Sequence, residues 1–210
     1  MANTLTETDI VNFALDSVGG LNIQNLDDAN NPNAQLCKRH YGQCVKTELD
    51  KYEWFFAYKV AKAVPVDLTA YPQAEIQGFI AYHLPPDFSR LSQYFFGAYY
   101  PYRKNQYEPG HNYFLTSDYL YTRRPIDMIP YTSNNVAISK WPQLFCDVVA
   151  ASLAIRIARK IMGADADIGF LHQLYNKEVS NARRQQILQM EPSATGTSET
   201  QQARLMYYGG

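Results

Sequence analysis

The sequence predicts an α+β protein. The predicted layout is a four-helix bundle of two N-terminal and two C-terminal helices, with an antiparallel β domain inserted between the pairs and an extended C-terminal tail. Three observations point there. Apolar residues recur at helical spacing near both ends of the chain. Turn punctuation comes at short intervals between them, at Tyr71-Pro72, Leu84-Pro85-Pro86-Asp87, Tyr100-Pro101, Glu108-Pro109-Gly110 and Arg124-Pro125. Tyrosine is concentrated in the same middle region, where 11 of the 17 fall between residues 71 and 131. Tyr favours strands, and its polar tip on an apolar body also suits surfaces that become partly buried in an interface.

Each element has its own signal. Thr6 can cap a first helix, with Asp9 three residues on, and Ile10, Phe13, Ala14 and Val18 form one face before Gly19-Gly20 stops it. After the polar turn DDANN, Asn31 is a good N-cap and Pro32 suits the first helical position. In the second helix Ala34, Cys37, Tyr41, Cys44, Glu48 and Tyr52 advance by three or four residues, with Val45 and Leu49 widening the stripe. Lys38, Arg39, Lys46, Thr47, Asp50 and Lys51 fall mostly off it. Val60, Val64 and Val66 read as extended chain, and short strands follow near 78–84, 88–95, 112–116, 118–123 and 126–131. Pro142 opens a third helix whose broad apolar face runs from Leu144 to Ile161, with Gly163 ending it. Asp165 or Asp167 starts a fourth, with Ile168, Leu171, Leu174, Tyr175, Val179 and Ala182 on one stripe. The expected domains are 1–58 with 139–191 for the bundle, 59–138 for the β domain, and 192–210 for the tail. That tail is a polar stretch, PSATGTSETQQ, followed by Leu205-Met206-Tyr207-Tyr208, which reads as a docking tag or as a simple chain end.

Composition bounds the chemistry. Charged residues are 19% and apolar ones 46%, a globular balance. A net charge of −1 gives no sequence-wide positive field to hold nucleic acid. Three cysteines, an odd number, argue for a reducing compartment. The N-terminus lacks a basic region and a continuous apolar run, so no signal peptide is expected. The apolar stretch near 144–162 is broken by Asp147, Arg156, Arg159 and Lys160, so no membrane span is expected either.

Cys37, His40 and Cys44 have spacings that could hold a metal, but Cys37 and Cys44 lie two turns apart on the core stripe, where a thiol is simply buried. Cys146, near the start of the third helix, has no evident partner base. Asp165 and Asp167 are two apart, as in some metal sites, yet acidic residues at a helix N-terminus are expected anyway. Arg156, Arg159, Lys160, Arg183 and Arg184, with Lys177, make the later helices basic; a solvated face is the plain reading and a wall facing DNA the sharper one. The sequence contains no GxGxxG, P-loop or GxSxG. No cofactor, metal or catalytic residue is expected.

One resemblance goes further. Leu26-Asp27-Asp28, Ala34, Leu36, Cys37, Tyr41, Leu49, Trp54, Phe56 and Ala57 stand where the podophage tail tubular protein A family has an LDD turn, A-x-L-C-x-x-x-Y, a later Leu and P-W-x-F-A. Tyr82-His83-Leu84-Pro85-Pro86-Asp87 with Arg90 resembles that family's Y-x-L-P-P-D-x-x-R. Ile161-Met162-Gly163, Leu174-Tyr175 and Ala182-Arg183 resemble its C-terminal helical pair. The likeness covers most of residues 5–186. It departs at Val45, where the family has arginine, and at Glu53, where it has proline; the tail matches nothing in the pattern. The family comprises head-to-tail adaptors of T7-like phages. The resemblance implies a non-enzymatic virion protein, folded in the host cytoplasm, that forms a ring with itself, usually of twelve copies. Its implied partners are the portal protein, the tail nozzle, tail fibres, and double-stranded DNA in transit without sequence-specific binding. Expected interface residues are Tyr94, Tyr99, Tyr100, Tyr102 and Tyr107, with Leu205, Met206, Tyr207 and Tyr208 reaching the portal and the five basic residues facing the channel. The alternative is a cytosolic helix-plus-β enzyme whose site the sequence does not reveal.

Overall fold

The structure, a computed structural model, describes residues 5–66, 78–92 and 113–190. Over these residues the chain is α+β, with four helices and two antiparallel sheets. The helices are α1 (Glu7–Ser17), α2 (Pro32–Lys51), α3 (Gln143–Ile161) and α4 (Ile168–Met190).

The caps follow the sequence. Thr6 and Asp9 form a reciprocal capping box: the Thr6 hydroxyl accepts from the Asp9 amide at 3.2 Å, and the Asp9 carboxylate accepts from the Thr6 amide at 2.8 Å. Those bonds to Thr6 hold the Asp9 carboxyl below its usual range. Asn31 Oδ1 accepts from the Asn33 and Ala34 amides, with Pro32 at the first helical position. At α4 it is Asp167, not Asp165, that caps, accepting from the Phe170 amide at 2.9 Å. Gly19 ends α1 at φ +63°, the left-handed conformation only glycine adopts without strain.

The expected face of α1 needs a correction. Ile10, Ala14 and Val18 are buried, but so are Val11 and Leu15, while Phe13 stays 38% exposed. The loop after α1 folds back over it. Asn12 donates to the Ile23 carbonyl at 3.0 Å and accepts from the Ile23 amide at 2.9 Å, which brings Ile23 and Leu26 into the core and moves the covered face round the helix. The α2 stripe is as read: Ala34, Cys37, Tyr41, Cys44, Glu48 and Leu49 are buried, and Tyr52 and Val45 half-buried.

Helix α3 is buried over most of its girth and packs against α1, α2 and α4. Its alanines at 150, 151, 154 and 158 let the neighbours approach closely. Gln43 on α2 meets Arg156, and Glu48, farther along, meets Ser152, so α2 runs antiparallel to α3. One apolar core joins all four helices.

The strands are β1 (Tyr58–Lys62), β2 (Pro65–Val66), β3 (Ile80–His83), β4 (Phe88–Leu91), β5 (Tyr113–Leu115), β6 (Tyr119–Thr122) and β7 (Met128–Ser133). They form two antiparallel sheets, ordered β1-β7-β4 and β2-β3-β6-β5. Tyr82 lies opposite Leu120, and Val60 opposite Pro130. A proline in the middle strand β7 is unusual, since it cannot donate to the ladder. Pro130 sits at the end of the β4 pairing, where only its carbonyl is used, accepting from the Ser92 amide at 3.0 Å. The Leu84-Pro85-Pro86-Asp87 turn does not close a hairpin; it carries the chain from β3 in one sheet to β4 in the other. A second, smaller core of Ala63, Tyr82, Leu120, Ile126 and Ile129 lies here. Among the described residues no helix is long and apolar enough to cross a membrane.

Candidate functional site

The most densely bonded polar region lies where the end of α2 meets β4. Glu48 is fully buried on the apolar stripe of α2, so its carboxylate must be satisfied internally. Oε1 accepts from Lys51 Nζ and from Ser152 Oγ, each at 2.8 Å; Oε2 accepts from the Tyr175 hydroxyl at 2.8 Å. Lys51 also donates to the Tyr175 hydroxyl at 2.8 Å. One carboxylate thereby ties α2, α3 and α4 together. Burial pulls the Lys51 pKa down, but its bonds to Glu48 and Tyr175 outweigh this and leave it raised. Burial, and then the Glu48 carboxylate, push the Tyr175 hydroxyl up to about 12.

Next along the chain, Trp54 donates its indole N–H to the Glu48 carbonyl at 2.7 Å, satisfying a backbone acceptor that the end of α2 leaves unpaired. Its ring packs on Phe145 at 5.0 Å between centroids, and Phe56 packs on the same ring at 4.8 Å. The hinge out of α2 is thus an aromatic plug against the start of α3. Gln186 of α4 grips the hinge backbone, donating to the Glu53 carbonyl at 2.7 Å and accepting from the Phe55 amide at 3.4 Å.

From the β side, Asp87 of the Leu84-Pro85-Pro86-Asp87 turn accepts from Lys59 at 2.6 Å, from Tyr131 at 2.8 Å and from Ser133 at 2.7 Å. Burial would raise its pKa, but Lys59 and the two hydroxyls outweigh it and bring the carboxyl down to about 2. Tyr131 is pushed up to about 12 by burial and by Asp87. Directly after this hub, β4 reaches the helical part: Ser89 donates to Asp50, Arg90 to the Lys51 carbonyl at 3.5 Å, and Ser92 to Glu53. The hydrogen bonds of Glu48 and Asp87 are taken up by neighbouring residues of the fold. The arrangement is suited to holding two parts of a protein at a fixed angle.

The other sequence candidates scatter. Cys37, Cys44 and Cys146 are buried free thiols. Burial pushes Cys37 up to about 11 and raises Cys44, the opposite of what a nucleophile or metal ligand needs. His40 is half-buried. Among the described residues no group of three His, Cys, Asp or Glu side chains is placed to hold a metal ion. The five basic residues form no single patch. Arg156 is bonded to Gln43 at 2.9 Å, and Arg183 lies over the Tyr52 ring at 4.9 Å. Arg159 and Lys160 sit in the last turn of α3, whereas Arg183 and Arg184 lie roughly 20 Å along α4 from that end. Tyr94, Tyr99, Tyr100, Tyr102 and Tyr107, and Leu205, Met206, Tyr207 and Tyr208, lie outside the described residues.

No protein-family model matches the chain, and comparison with curated proteins found no match. Sequence reasoning placed Glu48 on the core stripe without drawing out its role. A glutamate among cysteines, leucine and tyrosines at helical spacing was the available signal, since such a carboxylate needs buried donors. Asp87 and Arg90 carried no independent signal of what they bind.

Proposed function

We propose that the chain is a structural virion protein: a head-to-tail adaptor that forms a ring between the portal and the tail nozzle of a short-tailed phage, with genome DNA passing through the channel. The observation that carries this reading is a coincidence of residues. Arg90, which bears part of the resemblance to the tail tubular protein A family, donates from β4 to the Lys51 carbonyl at the end of α2, while Trp54 and Asp87, from the same pattern, fasten the two sides of that junction, the hinge after α2 and strands β1 and β7. A protein whose task is to couple two different neighbours needs that junction stiff. In this reading the helices form a four-helix bundle on the portal side, and the β part supports the nozzle and tail fibres. Each subunit presents two different faces to its neighbours, and a rotation that closes makes a ring, of twelve copies on the family pattern.

The mechanism is assembly, not catalysis. Scattered basic side chains and a net charge of −1 leave DNA free to slide, since tight phosphate binding would impede passage. Residues Leu205 to Tyr208 reach the portal. Size-exclusion chromatography with light scattering, with and without portal particles, tests the reading. Co-elution with portal supports it. A protein that ignores portal particles and turns over a small substrate is the enzyme alternative and defeats it.

A further inference from the structure

A groove of about 390 Å³ opens beside the junction, between the hinge, the start of α3 and the last part of α4. Trp54, Phe55, Phe56, Leu144 and Phe145 form its floor, and Gln185 stands exposed at its rim. Trp54 and Phe145 are themselves buried, so the accessible lining is the half-buried rings of Phe55 and Phe56 with Leu144. The shape and chemistry suit a bulky side chain with an apolar body and a polar tip.

The chain supplies one at the right place. The described residues end with α4 at Met190, and Gln186, which lines the groove, lies four residues before that end, or about 6 Å along the helix axis. Fourteen residues, Glu191 to Arg204, separate Met190 from Leu205-Met206-Tyr207-Tyr208. A flexible linker of fourteen residues has a reach of about 20 Å, more than the return path needs. At such a length the local concentration of the segment at the groove is in the millimolar range, so weak affinity is enough to fill it. We propose that this groove seats the chain's own C-terminal segment, with a ring of Tyr207 or Tyr208 inserted against Phe55, Phe56 and Leu144 and its hydroxyl at the Gln185 rim. The inference stands apart from the adaptor reading. Where that reading holds, portal competes with the groove for the same residues.

The test uses the full chain and a Tyr207→Ser, Tyr208→Ser double variant, whose changes lie outside the described residues. Hydrogen exchange is followed at the Phe55, Phe56 and Ala57 amides. The expected result is exchange about tenfold faster in the double variant, at a rate independent of protein concentration. Adding a synthetic peptide of residues 201–210 should restore protection to the variant and leave the unaltered chain unchanged. Equal exchange in both proteins would overturn the proposal. So would protection that grows with protein concentration, which would make a second copy the occupant, or a peptide that fails to protect the variant at millimolar concentration.

Discussion

Over the described residues, the helical part and the β part bury apolar side chains on very different scales. Around α3 one continuous core takes in residues from all four helices, and the buried Glu48 beside it has a donor for each carboxylate oxygen. Among the described residues the β core is five buried residues, and its surroundings leave Val60, Val64 and Met128 about half exposed. The order of the smaller part leans instead on polar ties: Asp87 to β1 and β7, and β4 to the end of α2. The described strands thus lean on neighbours, first within the chain and then, on the adaptor reading, beyond it. The β1 edge carries exposed Tyr58 and Val60 next to Lys62, a pattern that discourages casual strand pairing while leaving contact area.

Substitutions should separate the two parts. The largest effect belongs to Glu48→Ala, which removes the buried acceptor shared by Lys51, Ser152 and Tyr175 while Lys51 keeps the Tyr175 hydroxyl; thermal melts should show the helical part destabilised by about 3 kcal/mol. Asp87→Ala should cost about 2 kcal/mol, because it removes the acceptor shared by the Lys59 ammonium and the Tyr131 and Ser133 hydroxyls, although Lys59 and Ser133 keep the Asn135 carbonyl. That loss should appear in the β part, read by near-UV circular dichroism of its tyrosines, while the far-UV helical signal persists. Equal loss in both signals would mean the two cores unfold as one unit. Acid should imitate this change. Asp87 has a folded pKa of about 2 against roughly 3.9 unfolded, so its contribution is fully present above about pH 4 and disappears as pH falls through 2. The β signal should therefore weaken across that window, and Asp87→Asn should flatten the dependence. The smallest effect belongs to Thr6→Ala, which removes one half of the capping box and should lower stability by about 1 kcal/mol, fraying α1 alone.

Local chemistry made most of the fold readable. The Thr6, Asn31 and Gly19 boundaries follow from capping rules, and the α2 stripe from its spacing alone. The strands fell close to where proline and glycine punctuation put them. What could not be read was long-range. Nothing local says that Leu84-Pro85-Pro86-Asp87 passes between sheets, because strand partners are chosen by burial of both faces and not by adjacency in sequence. Spacing predicts Phe13 on the covered face of α1, yet it is exposed while Val11 and Leu15 are buried; the loop that packs Ile23 and Leu26 into the core is held by Asn12, a side chain with no pattern of its own. The junction was visible as residues and invisible as a site: Glu48 and Asp87 gain their meaning only from Tyr175, Ser152, Lys59 and Tyr131, which lie far away in the chain.

The central claim is that two unequal parts, fixed at one junction, couple a portal to a tail. A low-resolution image of the purified protein mixed with portal rings tests it most directly. The expected image shows copies arranged as a closed collar on one end of each portal, with the helical parts against it and the β parts pointing away. Bare portal rings beside free protein, at concentrations well above micromolar, would contradict it.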